Sequence, residues 1–210
     1  MQAGEIMTEL EEFASKLGVN SYTDSSLIFS CWDHRQTTVK THSFSIPTEE
    51  SLDKIRLYNP LLEVGAGTDY WAYEMRKKTI DVIATDISPE PMSNQYEFSK
   101  IWTHVEALSA IDAVRKYPDR TLFVSWPTLG ESWITEALKE YKGKYFIFVG
   151  ESAGGCTADD AFFGLLEKEW VVKEYISLLC WPGIHDSMCI FQRNIESSME
   201  AISPRKVSWR

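Results

Sequence analysis

The chain has 210 residues, 44% of them hydrophobic and 25% charged, values of a globular domain long enough to bury a core. Its formal charge is −10, from 31 acids against 21 bases, which argues against general binding to nucleic-acid backbones. No apolar run approaches the ~18 residues of a membrane span, and the acidic start, MQAGEIMTELEEF, lacks the pattern of a secretory signal, so a soluble cytoplasmic protein is expected.

Ile6, Met7, Leu10, Phe13, Ala14 and Leu17 recur at helical spacing before Gly18, which predicts an amphipathic N-terminal helix. Residues 19–46 read as irregular, rich in Ser and Thr, with Phe29, Trp32 and Phe44 scattered through them. Residues 1–47 are therefore taken as an N-terminal helix and cap or lid, 48–194 as the core, and 195–210 as a basic tail. Pro47 and Thr48 open a short helix with acids in its first turn, where the dipole favours them.

From residue 60 strands and helices alternate. LLEVG is a buried strand, TDYWAYEMRKK a helix, and IDVIATD a second strand ended by DISPEP. A helical piece near 92–99 and a short strand near 101–105 are expected next. ALSAIDAVRKY, ESWITEALKEY and DDAFFGLLEKEW read as helices, TLFVSW and KYFIFVG as strands. VVKEYISLL and MCIFQR, with no helix between them, predict an antiparallel hairpin at one edge of a parallel sheet covered on both faces.

The glycine turn of LLEVGAGTDYWA carries the functional signal. Gly65 and Gly67 let backbone approach a ligand, but the third position of a dinucleotide fingerprint is Tyr70, which argues against NAD. Glu63, two residues before Gly65, makes the pattern E-x-G-x-G and resembles motif I of class I S-adenosylmethionine (SAM) methyltransferases. Asp86, 21 residues past Gly65, ends the second strand, where a carboxylate can accept ribose hydroxyls. SIPTEESLDKI, LLEVGAGTDYWA, DVIATDISP, TLFVSWP, VGESAGGCT and CWPGIHD follow the order seen in a family of methyltransferase-like proteins, a resemblance spanning roughly residues 42–193. It implies a Rossmann-like, seven-stranded, mostly parallel sheet with helices on both faces and an antiparallel C-terminal hairpin. It also implies SAM as cofactor, held by Glu63, Gly65, Ala66, Gly67, Tyr70, Asp86, Ile87 and Ser125.

Ser125-Trp126-Pro127 resembles the D/N-P-P-Y position of amino-methyltransferases, with Ser for the acid or amide and Thr128 for the second proline; that departure argues against adenine methylation in DNA. Catalytic candidates are Ser125, Trp126, Glu151 and His185, the last beside Asp186. Three of them have a plainer alternative: a strand edge for Ser125 and Trp126, a turn for His185. Asp159 and Asp160 read as first-turn helix acids. His34 and His42 are lid or surface residues, Tyr70 and Trp71 pocket wall or core, and Asn94 an adenosine contact or a solvated side chain. Asp69 caps the following helix, with Thr68 as a second cap, or reaches the SAM ammonium. Cys31, Cys156, Cys180 and Cys189 are expected as free thiols, since their spacing with His185 matches no common zinc site. The expected activity is methyl transfer to a small molecule or a protein amino group. The rivals are a SAM-binding sensor or regulatory subunit without catalysis, and a Rossmann binding module that does not take SAM.

Overall fold

The computed structural model describes residues 25–194 together with Gly4 and Ile6. The helix expected over Ile6–Leu17 and the basic tail lie largely or wholly outside the described residues. The elements run α1 (Ser25–Thr41), α2 (Glu49–Arg56), β1 (Leu61–Val64), α3 (Tyr70–Lys77), β2 (Val82–Asp86), β3 (Glu106–Ala107), α4 (Ala110–Lys116), β4 (Thr121–Ser125), α5 (Trp133–Glu140), β5 (Tyr145–Gly150), α6 (Asp160–Glu169), β6 (Trp170–Ser177) and β7 (Ser187–Arg193).

Seven strands form one sheet in the order β3-β2-β1-β4-β5-β7-β6. β1 pairs in parallel with both β2 and β4, so the winding reverses there and opens a crevice at the strands' carboxyl ends. β7 runs antiparallel to β5 and to β6, which places the hairpin at the edge with β6 outermost. This is the Rossmann-like, mostly parallel sheet with an antiparallel C-terminal hairpin.

The period of two along each strand divides the core. Leu62, Val64, Leu122, Val124, Phe146 and Phe148 meet Ala113, Ile134, Leu138 and Phe162 of α4, α5 and α6. Leu61, Ala84, Phe123, Ile147 and Val149 turn the other way, onto Leu52, Ile55, Trp71 and Met75 of α2 and α3. Phe123 is fully buried with its ring 5.3 Å from that of Trp71, and truncating it to Ala would cost about 3–5 kcal/mol. α2 begins with a reciprocal cap: Thr48 Oγ1 accepts from Ser51 N–H at 3.1 Å, and Ser51 Oγ accepts from Thr48 N–H at 2.9 Å.

Three local expectations are corrected. Residues 25–41 are helical, not irregular. The buried face of α1 is Cys31, Arg35, Thr38 and Val39, continued by His42, a helical spacing written partly in polar residues and so invisible to a search for apolar period. The segment near 92–99 is a chain of turns, with left-handed Met92 (φ 61°) and Glu97 (φ 52°) after Pro89 and Pro91. The third strand falls at Glu106–Ala107, pairing Thr85 and Asp86, rather than at 101–105. Among the described residues, no helix is long and apolar enough to cross a membrane.

Candidate functional site

The turn after β1 is built on left-handed backbone. Gly65 (φ 64°) and Gly67 (φ 55°) adopt it without strain. A Cβ on Gly65 would stand 2.7 Å from Trp133 Cη2, and one on Gly67 would stand 2.8 Å from Phe98 Cε2, so backbone and rings can meet closely only because both residues lack side chains. Asp86, ending β2, ties the turn to the next strand. Its Oδ2 accepts from Gly67 N–H at 3.0 Å and its Oδ1 from Ser88 N–H at 2.8 Å, leaving further lone pairs on both oxygens.

These residues border a cavity of about 320 Å³ at the carboxyl ends of β1, β2 and β4. The size is that of a small-molecule site. Glu63, Gly65, Ala66, Gly67, Tyr70, Asp86, Ile87, Ser125 and Trp126 all line it, as do Trp71 and Asn94. Ile87 is 76% exposed, an apolar side chain offered to the opening. Glu63 is 2% exposed, and its Oε2 has no hydrogen-bond partner among the described residues. Burial first, and then the charge of Asp69, push its carboxyl well above the usual carboxylate range. Trp71 Nε1 donates to Ser45 O at 2.9 Å, so the residue is pocket wall and core together.

Two catalytic candidates do not reach this cavity. Glu151 is buried beyond β5, where its Oε2 accepts from Cys156 N–H at 2.8 Å and its Oε1 from His185 N–H at 2.9 Å. Burial raises its pKa, but these backbone bonds outweigh it and hold the carboxyl below its usual range. The His185 side chain is 85% exposed, with Nδ1 3.6 Å from Glu151 Oε1. The pair therefore latches the 151–156 loop to the 180s loop, because the turn geometry aims Glu151 at backbone donors.

Asp69 neither caps α3 nor lines the cavity. It is left-handed (φ 63°), fully buried, and makes no side-chain cap bond. Its Oδ2 accepts instead from Arg76 Nη1 at 2.9 Å and from Thr103 Oγ1. Burial pushes it up to about 6, against the pull of the Thr103 hydrogen bond and the Arg76 charge. Thr68 Oγ1 donates to His42 O, which removes the second expected cap. His42 is not a surface residue: it is buried, with its ring edge-on to Tyr70 at 4.8 Å and tilted against Trp102 at 5.0 Å. Asp159 does cap α6, accepting from Phe162 N–H at 2.8 Å. Asn94 Oδ1 accepts from Tyr96 N–H at 3.0 Å while the residue lines the cavity. Among the described residues no three His, Cys, Asp or Glu side chains gather as a metal site.

Sequence reasoning misses the aromatic roof. Phe44, Tyr96, Phe98 and Trp133 all line the cavity. Phe44 stacks on Trp126 at 4.9 Å and 9°, and meets Tyr96 edge-on at 5.2 Å. The one signal is the aromatic content of an otherwise polar segment at residues 94–98.

No family model matches the chain, and no curated protein matches it. Solved structures similar to it include a SAM-dependent methyltransferase from Archaeoglobus fulgidus, 13% identical with a TM-score of 0.47 over 80% of this chain and 100% of that one. Magnesium protoporphyrin IX methyltransferase from Synechocystis with bound SAM is 8% identical, TM-score 0.48, over 92% and 98%. The N-methyltransferase NodS from Bradyrhizobium japonicum is 12% identical, TM-score 0.43, over 79% and 97%. At such distances function must be argued from the site itself.

Proposed function

We propose that the chain is a SAM-dependent methyltransferase acting on a small molecule or a protein amino group. The observation that carries this reading is the pairing of two acids with a glycine cradle around one cavity. Glu63 has a buried oxygen without a partner, which suits the SAM ammonium. Asp86 has lone pairs to accept ribose hydroxyls, and Ile87 with Leu108 offers apolar surface to a purine. A pyrophosphate would instead bring negative charge toward both acids, and Tyr70 stands where a dinucleotide site needs its third glycine.

Held by Glu63, the Gly65–Gly67 turn and Asp86, SAM would supply an electrophilic methyl group on a sulfonium for in-line displacement by the acceptor, whose proton would pass to water. Positioning can supply most of the acceleration of such an in-line displacement. Ser125 and the Trp126 backbone, at the end of β4, are the groups on hand to orient an acceptor.

Glu151 and His185 do not line the cavity, which favours a second reading, a SAM-binding sensor or regulatory subunit without catalysis. Calorimetry with SAM, S-adenosylhomocysteine and NAD tests the cofactor: SAM should bind at least tenfold tighter than NAD. Single-turnover transfer of labelled methyl from SAM into a cell extract separates enzyme from sensor.

A further inference from the structure

The charges around the cavity are all of one sign. Glu63, Asp86 and Glu131 line it, and among the described residues no Lys, Arg or His does. An adjoining cavity of about 290 Å³, which shares Phe44, Tyr96, Trp126 and Thr128 with the first, brings no such cation either. The bases on neighbouring segments are engaged elsewhere. Lys40 pairs with Glu97 at 2.7 Å and Arg76 with Asp69 at 2.9 Å, Lys100 stands 3.1 Å over the Trp102 ring, and Arg35 lies against the Trp126 and Phe44 rings.

SAM carries an ammonium, a sulfonium and a carboxylate, so a lining of one sign bears unequally on its parts. The buried, unpartnered Oε2 of Glu63 suits the ammonium. Asp86 keeps lone pairs beyond its bonds to Gly67 and Ser88, and Glu131 adds an exposed carboxylate. The ligand's own carboxylate meets no base in this lining. The other natural seat for an anion is the N-terminus of α3, whose Tyr70 and Trp71 reach the cavity. That end is already acidic: the Ala72 N–H favours the carboxylate form of Glu63, and the buried Asp69 immediately precedes the helix. A cleft with low-dielectric walls and charge of one sign focuses its field, which ranks ligands by their net charge.

We propose that the cavity selects adenosyl ligands by positive charge: it prefers a sulfonium nucleoside to the neutral thioether left after transfer, and the ligand's carboxylate is dispensable. This rests on the cofactor reading above and goes beyond it. A site indifferent to charge would hold S-adenosylhomocysteine as firmly as SAM, and a site with a base for the carboxylate would need that group. The consequence for turnover is direct: loss of the methyl group removes the fixed positive charge on sulfur, so in an acidic cavity the product leaves more readily than the cofactor.

The test is calorimetry on the full chain with SAM, S-adenosylhomocysteine and decarboxylated SAM, which keeps both cations and lacks the carboxylate. SAM should bind about tenfold tighter than S-adenosylhomocysteine or better, and decarboxylated SAM no more than about threefold weaker than SAM. Glu131→Gln, at an exposed position, should narrow the gap between SAM and S-adenosylhomocysteine about threefold by weakening SAM alone. Equal or tighter binding of S-adenosylhomocysteine to the unaltered chain overturns the proposal, as does a tenfold loss on removing the carboxylate, and neither comparison depends on a variant folding. In both cases the cofactor reading stands, because SAM still binds. Failure of all three ligands to bind overturns the cofactor reading itself.

Discussion

The Trp126 indole donates to Asp186 Oδ1 at 2.8 Å, joining the end of β4 to the loop before β7 across 60 residues of chain. Burial pushes Asp186 up to about 7, against that hydrogen bond, which pulls it down. A free aspartate titrates near pH 4. Between about pH 4 and 7 the folded chain thus holds a proton that the unfolded chain has lost, so stability falls as pH rises through this window and levels off above it. Asp186→Asn keeps an acceptor for the indole and removes the titration. Denaturant unfolding at pH 5 and pH 8 should show a smaller loss in the variant than in the unaltered chain; equal losses would refute the assignment. Asp69 titrates in both proteins and cancels in the comparison.

Glu63 gives a linkage prediction. Burial and the neighbouring Asp69 charge favour its protonated form, whereas a bound ammonium favours its carboxylate. SAM binding should therefore release a proton, and affinity should rise with pH until Glu63 is ionised in the free protein. Calorimetry in buffers of different ionisation enthalpy measures the release directly. In Glu63→Gln both the release and the pH dependence of affinity should shrink, with affinity itself at least tenfold weaker at pH 8.

Asp86 is expected to hold the ribose while also accepting from Gly67 and Ser88. Asp86→Ala loses charge-assisted bonds worth roughly 1.5–3 kcal/mol each, so SAM affinity should fall tenfold or more. Because the turn loses its tie as well, melting temperature should drop by several degrees. Unchanged calorimetric affinity would sink the assignment.

Asp69→Asn separates scaffold from ligand. Asn tolerates the left-handed backbone, but Arg76 loses its carboxylate. The Arg76 side chain is 31% exposed and water replaces part of the pair, so the cost should be about 1–3 kcal/mol, read by urea denaturation. SAM affinity should change by less than threefold. A tenfold loss of binding at unchanged stability would make Asp69 a cofactor ligand after all.

The half of the cavity around the glycine turn is legible in the amino-acid sequence. β1, its glycine turn and Asp86 sit within 26 residues, Leu61 to Asp86, and each is announced by local chemistry: a buried apolar run, two glycines that free the backbone, and an acid ending a strand. The half beyond the end of β4 is less so. Ser125 and Trp126 are identifiable by their place after β4, but nothing in the sequence around Glu151 says that it meets backbone N–H groups rather than lining the cavity.

Composition and periodicity suffice for a doubly wound sheet with a terminal hairpin, because strand period, turn residues and the lack of a helix between the last two strands are properties of short windows. Long-range packing was needed to establish that α1 exists, that its buried face is partly polar, and that Arg35 lies against Trp126, 91 positions away in sequence. Whether a polar side chain is a solvated surface group or a buried charge depends on what distant chain packs over it, and no local pattern carries that information.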